Sequence, residues 1–436
     1  MSRHPQALSA PSPTVPPRPS CGAPDGTVRQ APPGGRGALV ARRVALLASG
    51  WLVVACGGGG GYGGGMSSPP PAPPPPVVAA GTWADGPVTG FGSVIVNGVR
   101  FDDDTADVSD DEGRTLHVDD LRLGMEVEIE AGDDHGGRAT ASGVHVHGSV
   151  TGPVEAVDAV AGTLVVLGQS VDTDAGTALD DALPGGLASL VPGAIVRIHG
   201  PADPSTGVVH ATRVERAGAV GAFRVHGRVG ALDAAAHRIT IGAATFDFTD
   251  VADVPGDLAV GSAVALSTAT APLAAGVWRV TSFSAEHRHF GDDHGEAQLR
   301  GTVSTFTSTA DFTVGTTRVD ASHATFPDGT GALAGGALVE VEGTLVDGVL
   351  VARTVTLEDR GGDHAGEVEL HGTVSQMDGT SGTFVLRASI VSLGGSPSFT
   401  HGTAADLVNG AHVEVTGHLA ADGHTVVAEA IEFEAD

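Results

Sequence analysis

One seven-residue pattern occurs five times along this chain of 436 residues and constrains its fold more than any other feature. In each copy a turn glycine is followed by alternating apolar and polar residues, the period of a half-buried β-strand. The turn glycines recur every 68 to 75 residues. The copies are Leu123-Gly-Met-Glu-Val-Glu-Ile, Pro192-Gly-Ala-Ile-Val-Arg-Ile, Val260-Gly-Ser-Ala-Val-Ala-Leu, Gly335-Gly-Ala-Leu-Val-Glu-Val and Asn409-Gly-Ala-His-Val-Glu-Val. The chain is therefore predicted to be an array of one small β module.

Further strand patterns recur around each copy. A closing strand follows the turn, and an opening strand precedes it, as in His226-Gly-Arg-Val, Arg300-Gly-Thr-Val and His371-Gly-Thr-Val, with His147-Gly-Ser-Val as a looser match. Each unit thus has about five or six short strands, which is typical of a small closed barrel. We predict an all-β fold of five tandem, oligonucleotide-binding-like β-barrel modules, with a short helix in some units at 180–190, 251–258 or 403–407. The predicted modules span 83–147, 148–217, 222–286, 297–359 and 367–436.

The alternation also predicts which side chains face the core. Val339 and Val341 are expected to point inward, and Glu340 and Glu342 to point into water. Because several modules carry Glu on this outward face, the acids indicate solubility rather than a catalytic pair. Trp278 is expected to pack in a core.

The N-terminal region has the pattern of a targeting signal. Arg42 and Arg43 precede an apolar stretch that ends at Cys56. The stretch is shorter than the ~20 apolar residues a membrane span needs, and its pattern is that of a signal peptide. Residues 1–55 are therefore predicted to be a leader and signal, with translation starting at Val40. A plain secretory signal and an uncleaved anchor are the alternatives.

The residues at the end of this stretch, Val53-Val-Ala-Cys56, resemble the lipobox of bacterial lipoproteins. The resemblance implies that Cys56 becomes the lipidated first residue of the mature chain, since acyl chains supply a membrane anchor. Gly57 follows it, without the Asp that marks inner-membrane retention in that family, which implies the outer membrane. Residues 56–82 are rich in Gly and Pro and predict a disordered tether.

Charge and cysteine content restrict the partners. The formal net charge is −29, and all 23 basic residues are Arg. Such a surface repels phosphate backbones, so nucleic acid is not an expected partner. Only Cys56 would remain in the mature chain, which excludes an internal disulfide.

His and Asp clusters are the candidate metal sites, and three of them lie in Gly-rich segments: Asp133-Asp134-His135, Asp292-Asp293-His294 and Asp363-His364. A His-x-His pair on a strand puts both rings on one face, where they can hold one ion. Imidazole with carboxylate suits zinc, copper or nickel. The favoured interpretation is nevertheless a solvated acidic linker with incidental His, because no known spacing of third and fourth ligands is present. Calcium at Asp102–Asp104 or at Asp110 and Asp111 is expected least, since neither has the oxygen spacing of a calcium loop. The candidate ligands are His145 and His147, and the denser group His287, His289, Asp292, Asp293 and His294.

The run from Gly86 to Phe101, Gly-Pro-Val-Thr-Gly-Phe-Gly-Ser-Val-Ile-Val-Asn-Gly-Val-Arg-Phe, resembles a bacterial envelope family, the domain of unknown function 5666. The likeness extends over about residues 86–434 and is strongest in the first and the last two units. The third departs most, since Ala263-Val-Ala-Leu lacks the acidic face. The resemblance implies a tandem-module lipoprotein of the cell envelope and no particular activity.

Enzyme signatures are missing from the sequence, which has no nucleophile elbow, P-loop, dinucleotide fingerprint or His-Glu-x-x-His. We therefore expect a non-enzymatic, multivalent binding or scaffold protein, without a required cofactor, anchored through Cys56 and facing the periplasm or the cell surface. An envelope protein or polymer is the expected partner. The alternative is a divalent-metal-binding protein, and a hydrolase ranks third.

Overall fold

The structure, a computed structural model, describes residues 81–434 apart from 133–137, 204, 257, 285–295, 316, 347–348 and 359–366. These residues form 32 strands and two short 3-10 helices. The predicted all-β class is confirmed. The helices predicted at 251–258 and 403–407 are wrong, since the described residues form an irregular segment at the first and a turn at the second, and 180–190 holds only a 3-10 helix. No helix in the described part of the chain is long and apolar enough to cross a membrane.

The strands fall into five groups, one for each predicted module. The first contains β1 (Gly81–Phe91), β2 (Val94–Val96), β3 (Val99–Asp102), β4 (Asp107–Asp110), β5 (Thr115–Leu116), a 3-10 helix (Val118–Asp120), β6 (Glu126–Ala131) and β7 (Arg138–His147). The second contains β8 (Val150–Asp158), β9 (Thr163–Val166), β10 (Gln169–Asp172), β11 (Ala178–Leu179), a 3-10 helix (Gly186–Ser189), β12 (Ile195–His199), β13 (Val209–His210) and β14 (Arg213–Arg216).

The remaining three groups are shorter or simpler. The third contains β15 (Phe223–Arg228), β16 (Ala231–Asp233), β17 (Arg238–Ile241), β18 (Ala244–Asp247), β19 (Ala263–Thr268) and β20 (Val277–Ser284). The fourth contains β21 (Glu296–Ser308), β22 (Asp311–Val314), β23 (Thr317–Asp320), β24 (Leu338–Val346) and β25 (Val349–Leu357). The fifth contains β26 (Glu367–Thr373), β27 (Ser375–Asp378), β28 (Thr383–Leu386), β29 (Ser389–Ser392), β30 (Ser398–Thr400), β31 (His412–Leu419) and β32 (Thr425–Phe433).

Each group closes on itself through the same pairings. In the fourth module, β21 pairs with β22 and β22 with β23; β23 runs parallel to the closing strand β25, which pairs with β24, and β24 returns to β21. The other modules repeat this ring, three of them with one strand in two pieces. Ring closure pairs the edges that would otherwise be open to aggregation.

The opening strand has the same register in every module. A glycine on that strand lies opposite the first valine of the repeated Gly-x-x-Val strand. The five pairs are Gly86 with Val127, Gly152 with Val196, Gly227 with Val264, Gly301 with Val339, and Gly372 with Val413. This register makes positions in different modules directly comparable, and it assigns the second module's opening glycine to Gly152 rather than to the Gly148 of His147-Gly-Ser-Val.

The modules are not independent domains. β1 pairs in parallel with β21 and with β26, and β8 pairs with β15, so hydrogen-bonded sheets run from module to module. The first and fifth modules share one apolar core, the second and third share another, and the core of the fourth includes Trp83 of the first. Burial of these shared surfaces is the main force that holds the modules together.

One glycine makes such a module contact possible. Gly90 of β1 lies opposite Glu369 of β26, and a Cβ atom there would come within 2.2 Å of the Glu369 backbone oxygen. Trp278 is buried, as the sequence predicts, and its ring packs edge-on against Phe223. The predicted core residues Val339 and Val341 are fully buried as well.

Candidate functional site

An open cavity of about 1130 Å³ lies where the modules meet, and all five contribute to its lining. Its volume is at the upper end of the range of small-ligand sites. Among its charged and titratable lining residues are the carboxylates Asp85, Glu126, Asp203, Glu358, Glu367 and Glu369, the guanidinium groups Arg228 and Arg300, and the imidazoles His147 and His226. We call this cavity the chamber.

The chamber is polar and acidic rather than aromatic. Carboxylates outnumber guanidinium groups three to one, and none of its described lining residues is Phe, Tyr or Trp. Stacking platforms for sugars or nucleobases therefore do not occur in this lining. Excess carboxylate in a concave site concentrates cations.

The most buried charged face of the chamber belongs to the first module. On β6, Val127 and Ile129 point into the module's core, whereas Glu126 and Glu128 point outward. The sequence analysis expected such outward acids to lie in water, and for these two the expectation is wrong. Glu126 is only 5% exposed and Glu128 8% exposed, because neighbouring modules cover this face.

The second module makes several of those covering contacts. The Thr212 hydroxyl donates to Glu126 Oε1 at 3.2 Å, and the Glu126 backbone N–H donates to Nδ1 of the buried His199 at 3.3 Å. Glu126 is thus held by groups that are distant in sequence.

His147 joins this face from the neighbouring strand. It lies opposite Glu126 in the pairing of β7 with β6, and its Nε2 is 3.5 Å from Asp85 Oδ2. Burial disfavours the charged imidazole, but the nearby carboxylates, Asp85 first, outweigh this and raise the pKa of His147 to about 9.

Glu126 and Glu128 respond in the opposite sense to the same environment. Burial, with repulsion from Asp85, raises the pKa of Glu126 to about 7 and that of Glu128 to about 8. Near neutral pH these carboxylates are therefore partly or mostly protonated, and an added cation beside them would favour their charged forms.

Three of these side chains are placed to share one ion. Asp85, Glu126 and His147 each offer one ligand atom, and these atoms all lie within 4.8 Å of one another. Glu128 Oε1 is buried without a hydrogen-bond partner in the described structure, and the buried atoms Asp85 Oδ2 and His147 Nε2 have only their 3.5 Å contact with each other. Buried polar atoms normally have a partner, so this group points to a ligand.

The second predicted histidine of this strand has different partners. His145 makes contacts through Nδ1 to the Ser109 hydroxyl at 3.1 Å and through Nε2 to Asp111 Oδ1 at 3.3 Å. Despite its burial, Asp111 has a pKa well below the usual range because His145 and other imidazoles stabilise its charge. His145 and His147 thus share a face, but only His147 belongs to the group with Asp85 and Glu126.

A third imidazole lies against His147. The ring of His226, from the third module, stacks on the His147 ring with centroids 6.5 Å apart. Burial lowers the pKa of His226 to about 4, so this ring is neutral at pH 7.

Two further groups contain enough ligand atoms for an ion. Glu369, His371 and Glu414 form one in the fifth module, where Arg100 forms an ion pair with Glu369 and contacts His371 Nε2 at 2.7 Å. Asp102, Asp103 and Asp104 form an acidic group on the surface. In the fifth-module group, Arg100 already supplies positive charge. The surface group consists only of three consecutive aspartates.

The other predicted sites lie outside the described residues. These are Cys56, the ligands His287, His289, Asp292, Asp293 and His294, and the clusters at Asp133–His135 and at Asp363 and His364. Sequence reasoning missed Asp85 and Glu126 as partners of His147. The sequence did contain a signal for Glu126. In each module the repeated strand is followed by a closing strand, so the Glu-x-Glu of β6 could have been paired with the His-x-His of β7.

Comparison with known families identifies part of the chain. Residues 151–215, 300–356 and 371–432 match the model of the family described as Domain of unknown function (DUF5666). The matches fall in the second, fourth and fifth modules, whereas the resemblance was expected to be strongest in the first and last two. No curated protein matches the chain.

Proposed function

Three modules of this chain match the DUF5666 family, and from this premise we propose that it is a non-enzymatic cell-envelope lipoprotein that binds a cationic ligand in the chamber. Its anchor is the lipid on Cys56, followed by the Gly/Pro tether of residues 56–82. The outer membrane is the proposed location, since Gly57 rather than Asp follows Cys56.

The observation that carries the binding role is the composition of the chamber. Six carboxylates and two guanidinium groups line one concave space formed by all five modules. Such a lining favours a compact ligand with positive charge and hydrogen-bond donors. The lack of enzyme signatures in the sequence supports binding rather than catalysis.

Multivalent display was the first expectation from the repeats, and it is the second candidate here. Five similar modules favour it. Against it, the modules share apolar cores, and their outward faces carry different residues, so five equal sites are not expected. A single composite chamber accounts better for these two observations.

Calorimetric titration of the purified full-length chain with spermidine, a tricationic probe, tests the proposal. Metal is first removed with a chelator, and citrate serves as an anionic control. We expect binding of one spermidine per chain that weakens as salt increases, because the attraction is electrostatic.

A chamber-filling variant locates the binding. Thr302→Trp places a large ring in the lining, whereas Thr380→Trp adds the same ring to an exposed turn. We expect the first to weaken spermidine binding at least about 10-fold and the second to leave it unchanged. Equal binding by spermidine and citrate, or equal affinity in both variants, would contradict the proposal.

A further inference from the structure

The common register reveals a position that changes charge between modules. The residue just before the opening glycine points outward. In three modules it lies opposite a carboxylate on the neighbouring strand: Asp85 opposite Glu128, Arg300 opposite Glu340 and His371 opposite Glu414. The second and third modules hold Thr151 and His226 there, opposite Arg197 and Ala265, so no acid is opposed to them. Among the three modules with an opposed carboxylate, the position is thus basic in two and acidic in one.

In the fourth module, the basic residue meets two acids. Arg300 lies 2.6 Å from Glu340 on β24 and 3.0 Å from Glu358, just after β25. All three side chains are less than a third exposed. The guanidinium group balances the carboxylates that the outward face presents.

In the fifth module, His371 takes the same place. It contacts Glu369 at 2.7 Å, Glu434 at 3.0 Å and Glu414 at 3.4 Å, and Arg100 adds a second positive group. Here too the acids of the outward face have positive partners from the protein itself.

In the first module, the acids remain and the basic residue is replaced. Asp85 lies opposite Glu128 and within reach of Glu126, so three carboxylates meet on one covered face. His147 is the basic side chain beside them, and its Nε2 lies 3.5 Å from Asp85 Oδ2, with no hydrogen-bond partner for either atom in the described structure. One imidazole beside three covered carboxylates leaves them short of positive charge, which is costly in a buried place.

We propose that a divalent transition metal ion, with zinc as the reference case, binds in the first module to Asp85, Glu126 and His147 and supplies the positive charge that Arg300 and His371 supply in their modules. The inference rests on the proposed function, because the ion would occupy one subsite of the cation-binding chamber. One imidazole nitrogen and two carboxylate oxygens are a suitable donor set for zinc. The chamber leaves room for water as a fourth ligand.

Zinc content of the full-length chain is the direct test. The background is the triple variant His287→Ala, His289→Ala, His294→Ala, which removes the imidazoles of the predicted cluster outside the described residues. The protein is dialysed against zinc alone, and bound metal is measured by mass spectrometry. We expect one zinc per chain in this background.

Isosteric variants assign the ligands. Glu126→Gln and Asp85→Asn keep side-chain size but remove a charged ligand atom, and each is expected to weaken zinc binding more than about 10-fold. Glu414→Gln is the matched control, because it makes the same change at the equivalent face of the fifth module. That control should retain one zinc.

The outcomes separate the site from the proposed function. No retained zinc in the background, or equal zinc in Glu126→Gln and the control, would overturn the metal site. Spermidine binding that persists in that case would leave the chamber's function standing, whereas loss of both would remove it. If a variant melts at lower temperature without metal, its loss of zinc could reflect unfolding, and cobalt(II) absorption of the background protein is then the test. A spectrum identical to that of aqueous cobalt would overturn the site.

Discussion

Glu128 lies directly opposite Asp85 in the antiparallel pairing of β6 with β1, so two carboxylates face each other on a covered surface. Like charges at directly opposed positions destabilise a sheet. Their retention in the first module is understandable if the surface serves to attract a cation. The pair also leads to a prediction about pH.

Replacing Glu128 with Gln is expected to stabilise the metal-free protein at alkaline pH. Burial raises the pKa of Glu128 from its ordinary value of 4.5 to about 8. The stability contributed by its protonated form is complete below pH 4.5 and is lost as the pH rises through 8. Glu128→Gln should therefore match the parent protein near pH 4.5 and exceed it by about 1–3 kcal/mol above pH 8.

Urea unfolding at a series of pH values, with a chelator present, measures this difference. Glu130→Gln is the control, because Glu130 lies on the same strand but is exposed. A stability difference for Glu128→Gln that does not change with pH would contradict the assigned burial effect.

Removing Arg300 should leave its two acids uncompensated. Arg300→Gln is expected to lower the free energy of unfolding by about 1–3 kcal/mol, since Glu340 and Glu358 are mostly buried. Arg353→Gln, in the same module, breaks a pair whose side chains are more than 40% exposed and should cost less than about 1 kcal/mol. Equal losses by chemical denaturation would contradict the equivalence drawn between Arg300 and the metal.

Gly90 should not tolerate even a methyl group. Gly90→Ala would force the new Cβ against the Glu369 backbone and separate β1 from β26, at a cost of roughly 1–3 kcal/mol. Gly379→Ala is the control, because a Cβ there meets nothing within 4 Å. The thermal midpoint measures both, and a Gly90→Ala protein as stable as the control would refute the close contact between the first and fifth modules.

The lipid anchor is tested at Cys56. Cys56→Ala should move the protein from the membrane fraction to the soluble fraction, and mass spectrometry of the parent should find a lipid-modified peptide that begins at Cys56. Cys21→Ala should change neither result, because residue 21 precedes the predicted cleavage. A membrane-bound Cys56→Ala protein would instead favour an uncleaved anchor.

Much of each module could be predicted from the sequence. Alternation in segments such as 338–342 and the turn glycine before each one are local properties, so the strand repeat and the core valines Val339 and Val341 were predictable. The connections at 251–258 and 403–407 were predicted wrongly. A short helix was expected there by analogy with other small barrels, but the chain makes the first connection with an irregular segment and the second with a turn.

The candidate site was predictable only in part. His147 was identified from the His-x-His pattern, but its pairing with His145 as joint ligands was not reproduced, because Asp111 binds one ring and Asp85 the other. Asp85 could not be recognised from the sequence, since its meaning depends on a register shared with Arg300 and His371.

The sequence by itself determined the five β modules, their inward and outward faces, the acidic charge and the signal-like N-terminal region. Only the tertiary structure decided which outward faces are covered, which glycines carry module contacts and where five linings form one chamber. The physical reason is that the alternation of apolar and polar residues specifies only the side of its own strand on which a residue lies. What covers that side depends on contacts between modules, and these bury Glu126 and Glu128, whereas Glu340 is mostly buried and Glu342 nearly half exposed.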